Sequence, residues 1–315
     1  METVIGYTVF FFCLLLLGSI SGIFSERAGI VNIAINGFMV FGAIMYALFS
    51  TIITDLIFKQ TETSMFWQIP ITLLTVGASA LFSLLFGLAT IKLKSNQTIS
   101  GFAIGLLSTG IAALLVLFLL EIQDSGQSIT FWDRGELALS SSVGSYKNIV
   151  SFKTFITIVV VFASWFALRK TKWGLRFRAI GENPQAADVA GINVNRIKWQ
   201  AVILAGMVAG LAGSFYAQCN IEPFSISKDV QGLGFLALAI MITSRWRISI
   251  SIFVSLVFSF MLSFSFYGTS LLKLDKYSGL FKALPYAITL IIMIFISKTS
   301  SQPAAAGIPY DKSQR

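Results

Sequence analysis

The sequence of 315 residues contains no histidine and only two cysteines, Cys13 and Cys219. A proton relay built on imidazole is therefore excluded. The cysteines form neither a metal-ligand spacing nor a disulfide framework, and they read as apolar packing. Charge is scarce: 12% of residues are Asp, Glu, Lys or Arg, where a soluble domain carries about 25%. No G-x-x-x-x-G-K-S/T run is present, so a phosphate loop of that type is absent and ATP is not bound in that way. The apolar stretches hold almost no ionisable residues, whereas secondary carriers and pumps usually place such groups there to carry the coupling ion. Paired carboxylates and metal spacings are missing too, which argues against an intramembrane enzyme. No residue is assigned a catalytic role and no metal site is expected.

What is present is apolar. Hydrophobic residues make up 56% of the chain and its mean hydropathy is +0.81. One water-soluble core cannot hide that much apolar surface. Lipid removes the difficulty, and the class is all-α: a polytopic membrane protein with about nine transmembrane helices, eight to ten being the range. The stretches that reach the roughly 20 apolar residues of a span lie near 4–24, 29–54, 66–91, 98–120, 152–168, 199–218, 232–244, 248–266 and 282–297. The seventh is short enough to be a half-helix. The first has no basic leader and no small-residue cleavage site, so it reads as a retained span.

The net charge of +9 could signal nucleic acid, but the basic residues sit in short loops between apolar runs, the membrane pattern. Most of them fall on one side: Arg27, Lys92, Lys94, the segment Arg169 to Lys198, Arg245, Arg247 and the C-terminal residues. The longest loop of the other side, 121–151, is net acidic. The positive-inside rule then places the N-terminus outside and the C-terminus in the cytoplasm. Residues 1–297 form a single transmembrane domain with a cytoplasmic loop at 169–198, and 298–315 read as a flexible cytoplasmic tail.

Five segments carry information. Asn32 and Asn36 stand four apart, so a continuous helix would place both amides on one face. They serve either interhelical hydrogen bonding or a polar substrate path, and Gly29 and Gly37 permit a break or a close helix contact. Thr98, Ser100 and Phe102 open the fourth stretch, where Gly101 and Gly105 form a G-x-x-x-G packing face. In the 169–198 loop, Asn183-Pro184 suits a helix start, Gln185 to Ala190 continue it, and Gly191 ends it. Its alanines suggest docking against a partner rather than a bare connector. Gly206, Gly210 and Gly213 recur at helical spacing as a surface for another helix. Ser244-Arg245-Trp246-Arg247 reads as an interfacial anchor.

In this order, these segments resemble the permease subunits of bacterial ABC importers of the branched-chain amino acid, ribose and nucleoside group. The run Glu26-Arg27-Ala28-Gly29-Ile30-Val31-Asn32-Ile33, the loop from Arg178 to Val194 and the Leu284-Pro285-Tyr286 ending are most similar to the nucleoside branch. Asn36 stands where relatives often carry an acid, and Gly105 near a position where they tend to have asparagine. The resemblance implies half of a translocation pore in a bacterial plasma membrane. It implies a second permease subunit, different in many relatives, a cytoplasmic ABC ATPase that carries ATP and Mg, and an extracytoplasmic substrate-binding lipoprotein. This chain itself needs no cofactor. The loop residues implied for coupling are Arg178, Gly181, Glu182, Asn183, Pro184, Ala187 and Gly191; those for the path are Asn32, Asn36, Thr98, Ser100 and Phe102. Sugar or branched-chain amino acid transport is the alternative cargo. A secondary carrier or channel without an ATPase, and a structural scaffold, are the alternatives of another class.

Overall fold

A computed structural model describes residues 2–53, 64–122, 137–140, 142–219, 230–268, 283–288, 290–291, 294 and 302–311. Among the described residues the chain is helical, with an isolated bridge between Ala138 and Ser151 as its only strand-like pairing. The helices are α1 (Glu2–Arg27), α2 (Ile35–Thr51), α3 (Gln68–Gly87), α4 (Gln97–Ile122), α5 (Phe152–Lys170), α6 (Lys172–Glu182), α7 (Pro184–Val189), α8 (Val194–Gln218), α9 (Leu233–Thr243) and α10 (Ile248–Ser263). Among the described residues, six helical segments are long and apolar enough to cross a membrane: α1, Met65–Lys92, α4, α5, α8 and Ile248–Tyr267.

Two of the nine expected stretches differ, and a third is only partly described. The second begins late because Gly29 takes φ +80 and turns the chain before Ile35. Asn32 therefore precedes α2, and the expectation that one helical face carries both amides fails. The seventh is the 11-residue α9, about 16 Å of helix and too short for a hydrocarbon core of about 30 Å. It starts from Gln231 and Gly232, both with positive φ. The ninth lies partly outside the described residues; 283–288 are helical.

α1, α2 and α8 form the centre. α8 packs on α1, α2 and α3; α1 also meets α9 and α10; α4 touches the rest mainly through α2, and α5 through α1 and α6. Apolar side chains gain nothing by leaving lipid for protein, so close packing must come from small residues. α8 shows this directly. A side chain at Gly206 or Gly210 would collide with Ser83 or Ser79 of α3, and one at Gly213 with the Met39 carbonyl of α2. On α2, Gly37 lies so close to α4 that a Cβ would sit 2.7 Å from the Gly105 Cα.

α10 meets α1 through a hydroxyl ladder. Ser251, Ser255, Ser259 and Ser263 are fully buried at four-residue spacing. Ser251 Oγ lies 2.6 Å from Ser19 Oγ, and Ser263 Oγ donates to the Val4 carbonyl at 2.6 Å.

Candidate functional site

The 169–198 loop is two helices and three caps. Thr171 opens α6 by accepting from the Gly174 amide at 3.1 Å. α6 buries Gly174, Phe177, Ile180 and Gly181 and exposes Leu175. Phe177 stands edge-on to Phe24 of α1 with ring centroids 6.2 Å apart. Asn183 accepts from the Ala186 amide at 3.0 Å and Pro184 takes the first turn of α7, the position where a missing N–H costs nothing. Gly191, at φ +81, closes α7, with the Ile192 amide bonded to the Ala187 carbonyl at 3.0 Å, a left-handed glycine stop. Asn193 then caps α8 by accepting from Arg196 N at 2.9 Å. Ala187 is buried, while Val189 projects with 76% of its surface exposed.

This loop is braced from beneath. A side chain at Gly181 would strike the Arg27 carbonyl, so at that point the α6 backbone lies directly against the end of α1, beside the Phe177–Phe24 ring contact. Trp173 Nε1 donates to Gln200 Oε1 of α8 at 3.0 Å. Of the segment expected to be a flexible tail, residues 302–311 are described and run over the same end. The Ala305 amide donates to the Gly181 carbonyl at 2.9 Å, and Asp311 pairs with Lys94 at 3.0 Å. Ala305 is 5% exposed; the alanines around it are small enough to lie flat there.

The five path candidates do not meet on one surface. Asn32 is fully buried; its Oδ1 accepts from the Ala34 amide at 3.1 Å, and its Nδ2 has no partner among the described residues. Asn36 is buried and accepts from the Gly234 amide at 3.1 Å, tying α2 to the start of α9. Ser100 is 8% exposed, donates to the Asn96 carbonyl at 2.9 Å and lies 2.7 Å from Ser95 Oγ. Thr98 and Phe102 instead lie on the exposed face of α4. A Cβ at Gly101 would lie 3.2 Å from Ile33 and the Ala34 amide, whereas one at Gly105 would meet open space.

Two further ties were not singled out from the sequence. Gln97 Oε1 accepts from the Val31 amide at 2.6 Å, fixing the loop before α2 to the start of α4. Glu26 Oε2 accepts from Trp246 Nε1 at 2.6 Å, and the Arg27 guanidinium donates twice to the Trp246 carbonyl at 3.1 Å. Trp246, expected as a headgroup-level anchor, is 6% exposed and bonded inward. It and Arg245 both take φ 54, a conformation that bulky residues adopt only when held. The sequence signal was an acid and a tryptophan at opposite apolar-run boundaries of one membrane side.

Residues 4–297 match the family described as branched-chain amino acid transport system / permease component. The chain is 33% identical over 320 residues to the nucleoside ABC transporter permease protein NupC of Lactococcus lactis, covering 95% of this chain and 94% of that one. It is 30% identical over 322 residues to the guanosine ABC transporter permease protein NupQ of Bacillus subtilis, with 100% and 98% covered. An uncharacterised protein of Mycoplasma genitalium is 38% identical over 304 residues, with 96% and 95% covered. ABC permeases are membrane subunits that work with ATPase and substrate-binding partners. With its six candidate spans the chain is a multi-pass plasma-membrane protein, and it belongs to the permease family of branched-chain amino acid transport systems.

Proposed function

We propose that this chain is one of two permease subunits, the second a different chain, of an ATP-driven importer of nucleosides. The observation that carries this reading is the capped, braced α6–α7 loop on a chain matched over its length by permeases named for nucleoside and guanosine. Its N-terminus lies outside, its C-terminus in the cytoplasm, and about nine spans connect them. A substrate-binding lipoprotein delivers cargo outside; ATP and Mg are held by the cytoplasmic ATPase. The chain performs no catalysis itself.

The loop works as a lever. Val189 and Leu175 offer exposed apolar contacts to the ATPase, and Arg178, Glu182, Asn183, Pro184, Ala187 and Gly191 hold the loop in its docking shape. Because α6 meets Arg27 through Gly181 and Trp173 is bonded to α8, a push on α7 moves the ends of α1 and α8 together. Those are two of the three central helices, so a rigid displacement at one end can switch access at the other. Thr98 and Phe102, on the exposed face of α4, are the path residues of this chain open to a solute; Asn32, Asn36 and Ser100 shape the helices behind it.

The test is uptake by the reconstituted transporter, with its ATPase, second permease and binding protein. ATP-dependent guanosine or uridine uptake, competed by other nucleosides and not by ribose or leucine, is expected. Competition by ribose or leucine alone replaces the cargo. Uptake by this chain without any ATPase replaces the mechanism with a secondary carrier or channel.

A further inference from the structure

At the basic-loop end, between α1, α5, α6 and the start of α10, lies a cavity of about 520 Å³. Arg27, Arg169, Arg178 and Arg247 line it together with Trp165 and Trp246. Among the described residues no carboxylate lies within ion-pair distance of these arginines, and Glu182 attracts Arg27 only from farther off. Like charges repel, so four guanidinium groups lining one cavity favour an anion among them. The first turn of α10 also borders the cavity and has no side-chain cap, which adds the positive end of a helix dipole.

A second cavity, of about 500 Å³, adjoins the first and shares Trp165, Arg169 and Ser249 with it. Apart from Thr157, its other walls are apolar, including Phe12, Leu16, Val161, Phe162 and Ile252. It runs along the span between α1, α5 and α10, where Phe155, Ile158 and Phe162 already face outward. The occupant must therefore be anionic at one end and apolar at the other. An acidic protein loop satisfies the arginines but not the groove.

We propose that the paired cavities bind one anionic phospholipid, its phosphate among Arg27, Arg169, Arg178 and Arg247 and an acyl chain in the α1–α5–α10 groove. Basic pockets between spans near the cytoplasmic surface have this chemistry, and tryptophans at headgroup depth fit it. The site touches α6, so the lipid bridges the coupling loop to the bilayer. The proposal rests on the membrane placement of the chain and not on its cargo, and its test involves no transport.

The experiment is native mass spectrometry of the full-length chain in mild detergent with equimolar phosphatidylglycerol and phosphatidylcholine. One retained phosphatidylglycerol is expected at about tenfold preference. The preference should fall to parity in Arg169→Gln/Arg247→Gln. It should persist in Arg176→Gln/Arg196→Gln, which removes the same charge from exposed positions outside the cavity. On the unaltered chain, phosphatidylglycerol with brominated acyl chains should quench tryptophan fluorescence more than brominated phosphatidylcholine at equal mole fraction. Equal retention of both lipids, equal quenching, or an undiminished preference in the cavity variant overturns the proposal. Displacement of the lipid by millimolar inorganic phosphate assigns the cavity to a free anion and also overturns it. So does a photo-crosslink from position 158 to the second permease or the ATPase instead of to lipid.

Discussion

α8 and α4 invert the relation between hydropathy and burial that holds in water. α4 is the most apolar of the six candidate spans, yet 28% of its most apolar stretch is buried; α8 is the least apolar, and 78% is buried. In a soluble protein the apolar helix would go inside. In a bilayer the solvent is itself apolar, so the hydrophobic effect does not sort helices between lipid and protein. What sorts them is how closely backbones approach. α8 spends its central turns on Gly206, Gly210 and Gly213, while α4 offers Leu106, Leu114, Leu117 and Phe118 to its surroundings. α5 limits the rule, being peripheral without being highly apolar; its buried face holds Lys153, Thr157 and Ser164.

The sharpest way to break the comparison is to give the central helix a bulky side chain. Gly213→Leu drives carbon atoms into the Met39 carbonyl and the Ala43 amide of α2. Overpacking that must move backbone costs about 3 kcal/mol or more. Folded protein recovered by size-exclusion chromatography in mild detergent should fall severely. A normal yield would mean that α2 and α8 do not meet as closely as this.

Next is a change that spares the centre and breaks the lever above it. Glu182→Arg with Pro184→Gly reverses a charge and loosens the start of α7, both outside the spans. Uptake by the assembled transporter should be abolished while membrane insertion and thermal stability stay near those of the unaltered chain. Normal uptake would remove the coupling role from α6–α7. The pair also separates loss of function from loss of fold, which Gly213→Leu cannot do.

A finer test concerns two glycines on either side of the α2–α4 contact, of which only Gly37 points into it. Gly37→Ala should destabilise by about 1–2 kcal/mol, because its Cβ would lie 2.7 Å from the Gly105 Cα. Gly105→Ala meets nothing within 4 Å and should be neutral or slightly stabilising, since alanine is the better helix former by about 1 kcal/mol. Chemical denaturation of the two variants in the same detergent decides it. Equal effects would undo the α2–α4 contact.

That asymmetry marks how far the sequence could be read. The apolar runs placed most of the helices, and Asn183-Pro184 with Gly191 placed α7 to within a residue, because caps and left-handed stops are local chemistry. The small-residue run in α8 was legible for the same reason. The serine ladder of α10 stood at plain four-residue spacing and passed unnoticed among a long apolar run. Which member of a G-x-x-x-G carries a contact was not legible, since it depends on the rotation of α4 about its axis. The α4 path candidates scattered for the same reason: Ser100 and Phe102 are two positions apart and point to opposite sides of α4, while Asn32 parted from Asn36 at the turn that Gly29 makes before α2. The tie from Glu26 to Trp246 spans most of the chain, and no local pattern announces it.

The smallest effects should come from the exposed faces, and they distinguish two kinds of exposure. Thr98, Phe102 and Leu106 follow one another at four-residue spacing on the exposed face of α4; Phe155, Ile158 and Phe162 line the exposed face of α5 at spacings of three and four. Ile158 and Phe162 of the α5 face line the apolar cavity proposed for the acyl chain, whereas the α4 face carries the residues proposed for the path. If α4 faces the second permease and α5 faces lipid, Leu106→Ala should weaken co-purification of the second permease while leaving the isolated chain unchanged. Phe155→Ala should change neither, because an apolar side chain shortened against lipid leaves a gap that lipid fills. An exposed substitution is worth no more than about 0.5 kcal/mol to the isolated chain, so thermal unfolding is the control and subunit recovery the measurement. Loss of the second permease from Phe155→Ala and not from Leu106→Ala would exchange the two faces, moving the pore to α5 and placing the arginine cavity at a subunit boundary.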